Sequence, residues 1–155
     1  MTLTTVILTS WLILIPPPQI GNLAMPAEFW AYTLEAARAE GIDPCIIAGV
    51  MAIESRYDPG ATSGRGRCIG LMQLDKGVAR SLGVDPWDPK ENIDGGARIL
   101  ARLLKKHRGD LRLVARDYNG TGNRAYEREI LRAVRQAQRQ YRQENEHADL
   151  RLSVR

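Results

Sequence analysis

Residues 43–59 read DPCIIAGVMAIESRYDP, and this stretch decides how the rest of the chain is read. Asp43 can accept hydrogen bonds from first-turn amides, and Pro44 gives up only an N–H that would lack a helical partner anyway, so the pair opens a helix. Within it Ile46, Ile47, Val50, Met51 and Ile53 leave almost no polar face. The pattern predicts a helix to about Ser55 that runs through the middle of the core. Glu54 stands at its end. Desolvation and the negative end of the helix dipole both oppose ionisation there, so the carboxyl can hold a proton near neutral pH, as a general acid must. A carboxylate that merely points into water from a helix end fits the same position.

Outward from this segment the chain reads as short helices with clear start and stop signals. Pro26 opens a helix whose apolar positions Phe29, Tyr32, Ala36 and Ala37 recur at helical spacing, and Gly41 ends it. Residues 56–67 (RYDPGATSGRGR) are polar and glycine-rich, which predicts a long loop. Residues 68–74 are apolar but too short for a standing helix. Asp75 can cap a helix over 76–82, closed by Gly83. A turn-rich link (Asp85-Pro86-Trp87-Asp88-Pro89) leads to an amphipathic helix with Ile93, Ala97, Leu100, Ala101 and Leu104 on its buried stripe. Asp110 caps another helix to about Tyr118. A last helix begins near Ala125 and passes Tyr141 before fraying. No stretch alternates with period two, so the fold class is all-α or nearly so.

At 155 residues the chain suits one domain with its own core. Its organisation is expected as an apolar segment over 1–22, a catalytic domain over 26–142 and a loose polar tail over 143–155. Residues 4–15 (TTVILTSWLILI) precede Pro16-Pro17-Pro18. They match a signal-peptide core in length, which favours export, although no Lys or Arg comes before them; an anchor or an arm packed on the domain is the alternative. The formal net charge of +4 favours polyanionic partners. Arg128, Arg132, Arg135, Arg139 and Arg142 make one cationic stripe on the last helix, suited to an anionic envelope polymer or lipid, or simply to solvent. No aromatic residue interrupts the stripe and no recognition motif is present, so nucleic acid is not expected as a partner. Cys45 and Cys68 are too few for a disulfide framework and lack zinc-site spacing, so free thiols, no metal and no cofactor are expected.

Three blocks carry a resemblance: Ile53-Glu54-Ser55-Arg56-Tyr57, then Gly70-Leu71-Met72-Gln73, then Asp117-Tyr118-Asn119-Gly120. In this order they resemble the lytic transglycosylase domain of the lysozyme-like superfamily. The likeness runs from about Pro26 to Val134, and includes residues 85–89 and Glu91-Asn92-Ile93. It implies a lysozyme-like helical fold and cleavage of peptidoglycan between N-acetylmuramic acid and N-acetylglucosamine. Glu54 is then the single acid/base, and the product carries a 1,6-anhydro ring. The substrate's own N-acetyl group takes the place of a carboxylate nucleophile.

The resemblance makes Ser55, Met72, Gln73, Tyr118 and Asn119 cleft-lining or carboxyl-orienting residues. By their residue types alone, Met72 reads as core, Gln73 as an amide that needs partners, and Tyr118 and Asn119 as a helix end. Two departures from the family pattern stand out. Asp117 replaces a small residue, and Gly120-Thr121-Gly122 replaces an Ala-Gly-Pro-Gly-like loop. Asp75, directly after the Gly-Leu-Met-Gln-Leu run, also gives the chain some goose-type lysozyme character. There Asp75 would position a water for hydrolysis, whereas the simpler role is to cap the next helix. Asp58 and Asp117 are weaker second carboxylates. A non-catalytic glycan-binding envelope protein is the third reading. The resemblance further implies a monomer in the periplasm or cell envelope, or a phage-encoded enzyme delivered to the wall at lysis.

Overall fold

The computed structural model describes residues 15–153, and for 148–153 the backbone course alone. Most of the segment over 4–15 therefore lies outside the described residues, and so do its export and anchor readings. Two short strands, β1 (Gln19–Ile20) and β2 (Leu23–Ala24), form a small hairpin before helix α1 (Ala27–Glu40). Helix α2 (Pro44–Glu54) leads to a three-stranded antiparallel ribbon of β3 (Thr62–Ser63), β4 (Cys68–Ile69) and β5 (Leu74–Asp75). Helices α3 (Lys76–Leu82), α4 (Pro89–Lys106), α5 (Leu111–Asn119) and α6 (Arg124–Ser153) complete the order.

Helix α2 runs through the core as its composition requires. Every residue from Cys45 to Ala52 is buried. Its most extensive partner is α6, while α4 packs on α1 and α5 packs on α6. The α2–α6 approach is close enough to demand a glycine. A Cβ on Gly49 would lie 2.6 Å from Val134 Cγ2 and 2.8 Å from the Val134 backbone nitrogen. Burial of the Cys45 thiol pushes its pKa up, so it stays protonated and inert, and both cysteines are free.

Most helix boundaries follow the caps that the sequence offered. The side chains of Asp43, Asp75, Asp88 and Asp110 accept hydrogen bonds from first-turn amides of α2, α3, α4 and α5. Gly41, Gly83 and Gly120 close their helices in the left-handed conformation. Asn123 supplies the cap of α6, accepting from Ala125 N at 2.9 Å. Two elements differ from expectation. The loop over 56–67 contains β3, paired through Thr62↔Ile69 and Ser63↔Cys68. Helix α6 extends to Ser153, through the segment read as a loose tail. That segment is rich in helix formers and contains neither Gly nor Pro to break it.

On α1 the buried face is Phe29, Trp30, Thr33, Leu34, Ala36 and Ala37, with Tyr32 at its edge. Thr33 is buried because its hydroxyl donates to Phe29 O at 2.7 Å. Ile15 and Gln19 hydrogen-bond to this part of the domain. Trp30 Nε1 donates to Ile15 O at 3.1 Å, and Gln19 exchanges hydrogen bonds with Gln136 and Gln140 of α6. Trp30 also meets Tyr141 edge to face, with ring centroids 5.6 Å apart. Among the described residues no helix is long and apolar enough to cross a membrane.

Candidate active site

Glu54 is the last residue of α2, and the chain turns sharply after it. Arg56 and Tyr57 both adopt positive φ, +56° and +66°. Two consecutive left-handed non-glycine residues cost roughly 1–2 kcal/mol each. Tyr57 offsets that cost by burying its ring, 6% exposed, and by donating from its hydroxyl to Ala48 O at 3.4 Å. Ser55 is buried, and its hydroxyl donates to Met51 O at 3.1 Å, back into α2. Ser55 therefore secures the helix end that carries Glu54.

The Glu54 carboxyl is half-buried, and desolvation raises its pKa above the ordinary glutamate value. One hydroxyl meets it: Tyr126, on the first turn of α6, donates a hydrogen bond to Glu54 Oε1. This bond favours the ionised form and offsets part of the desolvation. Burial and the adjacent carboxylate push the Tyr126 hydroxyl far above its usual range, so it remains a donor. The Tyr118 hydroxyl is raised by burial and by Glu54 in the same way. It donates to Met72 O at 2.9 Å.

The Gly70–Gln73 turn is held from beneath by Asn92, which is completely buried. Asn92 Oδ1 accepts from Met72 N at 2.7 Å, and its Nδ2 donates to Ile69 O at 2.9 Å and Pro86 O at 2.7 Å. Gly70, at φ +78°, leaves room for this amide, since a Cβ there would sit 2.7 Å from Pro86 O. The Met72 side chain is fully buried, so Met72 meets the site through its backbone carbonyl. Gln73 is half-buried with φ +48°, and its Nε2 donates to Ala61 O at 3.0 Å and Gly70 O at 2.9 Å. Asn119 ends α5, and its Oδ1 accepts from the Thr121 hydroxyl.

The other acidic candidates are already engaged. Asp75 Oδ1 caps α3 through Gly77 N at 2.8 Å, while Oδ2 pairs with Arg67 Nε at 3.1 Å. Asp58 Oδ1 accepts from Gly60 N at 2.9 Å. Asp117 does add a carboxylate beside Tyr118, but Lys106 Nζ (2.8 Å), His107 Nε2 (2.7 Å) and Arg116 Nε (3.3 Å) surround it. These partners hold its pKa well below the usual carboxylate range. Among the described residues no group of His, Cys, Asp and Glu could hold a metal ion.

Tyr126 and Asn92 are the site residues that sequence reasoning missed. Asn92 lay inside a quoted resemblance, but nothing local marks a polar residue on an amphipathic helix as buried. Tyr126 falls one helical turn before Ile130 on the apolar stripe of α6, which marks it as inward-facing. Its partner becomes visible only when α6 packs on α2. Tyr126→Phe removes a donor that stabilises the Glu54 carboxylate, so the Glu54 pKa rises further. If Glu54 acts as a general acid, its proton then persists to higher pH. The alkaline limb of the kcat/KM profile is expected to move upward, and a limb that stays in place or moves down contradicts the contact.

Residues 31–144 match the family described as Transglycosylase SLT domain, and the chain belongs to that family. The transglycosylase of Enterobacteria phage PRD1 is 43% identical over 98 residues, covering 62% of this chain and 36% of that protein. Membrane-bound lytic murein transglycosylase F 1 of Alkalilimnicola ehrlichii is 44% identical over 73 residues, covering 46% and 15%. Lytic transglycosylase Slt of Pseudomonas aeruginosa, solved as an inactive glutamate-to-glutamine mutant, superposes with a TM-score of 0.53. It shares 21% identity over 72% of this chain and 21% of that one. The fold is thus lysozyme-like, and the chain spans about a third or less of the length of these relatives.

Proposed function

We propose that this domain is a peptidoglycan lytic transglycosylase in which Glu54 is the single acid/base. The observation that carries the reading is the half-buried Glu54 carboxyl, raised in pKa and met by the Tyr126 hydroxyl. Protonated Glu54 gives its proton to the glycosidic oxygen between N-acetylmuramic acid and N-acetylglucosamine, and the bond to the anomeric carbon breaks. The muramic N-acetyl oxygen stabilises the positive centre. The Glu54 carboxylate then takes the proton of the 6-hydroxyl as that oxygen bonds to the anomeric carbon, which closes the 1,6-anhydro ring and restores the acid. Tyr126 orients the carboxyl, and Tyr118, Gln73 and Asn119 shape the cleft beside it.

Engagement of Asp75, Asp58 and Asp117 elsewhere favours this route over hydrolysis through a second carboxylate, and the names of the relatives point the same way. The setting that fits is the bacterial cell wall, reached from the envelope or by phage delivery. The five arginines of the α6 stripe are exposed, and no ion pair engages them among the described residues, which suits retention on an anionic wall polymer or lipid. Purified sacculi test the enzymatic reading. The protein is expected to clear their turbidity and release soluble muropeptides, whereas tight binding without release would identify a glycan-binding module instead.

A further inference from the structure

The two departures from the family pattern, Asp117 and the loop over 120–122, meet in one open surface pocket of about 530 Å³. Its other walls are Leu103, Lys106 and Arg116. Both oxygens of Asp117 are filled, Oδ2 by Lys106 and His107 and Oδ1 by Arg116 Nε. The remaining N–H groups of Lys106 and the terminal nitrogens of Arg116 have no acceptor among the described residues. The side chains of Lys106 and Arg116 are 63% and 48% exposed, against 21% for Asp117. The pocket thus presents spare donors and, with two cations against one carboxylate, a surplus of positive charge. Such a lining favours an anionic ligand.

Asp117 also sets the geometry. By drawing Lys106 of α4 and Arg116 of α5 to one carboxylate, it brings two cations to one mouth. The loop over 120–122 begins directly after Asn119, so the pocket lies at the C-terminal end of α5, the helix that carries Tyr118. Being open to solvent, it leaves room for short peptide beside a carboxylate, with Leu103 as an apolar wall.

We propose that this pocket is a subsite for a carboxylate of the peptide stem borne by the glycan strand, gripped by Lys106 and Arg116. The proposal rests on the reading of the domain as a peptidoglycan-cleaving enzyme. It makes this chain prefer strands that still carry stems.

Two measurements test it. In an NMR titration with a soluble stem tripeptide, the amides of Gly120, Thr121 and Gly122 are expected to shift. The carboxamide form of the same peptide should leave them in place, and Lys106→Gln/Arg116→Gln should weaken binding about tenfold or more, as loss of charge-assisted hydrogen bonds implies. Shifts confined to other residues, or equal binding of acid and amide, overturn the proposal. In kinetics, the ratio of kcat/KM on stem-bearing strands to that on enzymatically denuded strands should fall about tenfold in the double variant. Arg116→Glu alone should lower the ratio similarly if the double variant folds poorly. An equal loss on both substrates indicates a structural role and overturns it. If the wild-type protein cleaves neither substrate, the catalytic reading fails, and the peptide titration still decides the subsite.

Discussion

Glu54→Gln is expected to lower kcat on peptidoglycan by roughly a thousandfold or more, because it removes the proton donor and keeps the side-chain shape. Gln presents an oxygen to the Tyr126 hydroxyl, so the fold and the cleft should persist. Stability supplies an independent signature. Desolvation raises the Glu54 pKa in the folded state, so the folded protein binds this proton more tightly than the unfolded chain. Stability therefore falls as pH rises from the unfolded glutamate pKa through the folded one. Gln carries no such penalty. The variant should melt at or above the wild-type temperature at neutral pH, and the difference should disappear in acid. Retained activity would remove Glu54 from the chemistry. A neutral-pH melting temperature well below wild type would mean that the carboxylate is a structural anchor.

Asn92→Ala should be the most destabilising single change considered. It leaves the Met72 N–H and the Ile69 and Pro86 carbonyls without their partner at a fully buried position. Each orphaned group costs about 1–3 kcal/mol, so a loss of about 3–5 kcal/mol is expected, allowing for partial relaxation and water entry. In a domain of this size that corresponds to a fall in Tm of roughly ten degrees or more. The damage should reach the site, because the same amide holds the turn whose Met72 carbonyl receives the Tyr118 hydroxyl. A thermal melt beside a clearing assay checks both. A Tm within a degree or two of wild type would show that the turn stands without Asn92.

The fold was legible where a residue type has one dominant use. Asp-Pro before an apolar run, Asp75 and Asp110 before polar helices, and Gly41 and Gly83 after them mark boundaries by backbone chemistry, which is local. The central helix was legible because no surface helix is so uniformly apolar. The strand at Thr62–Ser63 was not, since its pairing with Cys68–Ile69 is a long-range choice by a polar loop. The end of α6 was not either, because charged helix formers read equally as solvated helix or solvated coil. Within the site, Glu54 stood out because a carboxyl after an apolar run is chemically conspicuous. Tyr126 and Asn92 act across 72 and 20 residues of sequence, on Glu54 and Met72, and such contacts have no local mark. Met72 shows the converse: the motif suggested a cleft residue, and its side chain is wholly in the core.

Mass spectrometry of the muropeptides released from purified peptidoglycan tests the central claim most directly. If Glu54 alone drives attack by the substrate's 6-hydroxyl, the products end in 1,6-anhydro-muramic acid and are one water lighter than hydrolysis products. Products with ordinary reducing ends would contradict that account, because a water would then be the nucleophile, and Asp75 would become the residue to examine as its positioner.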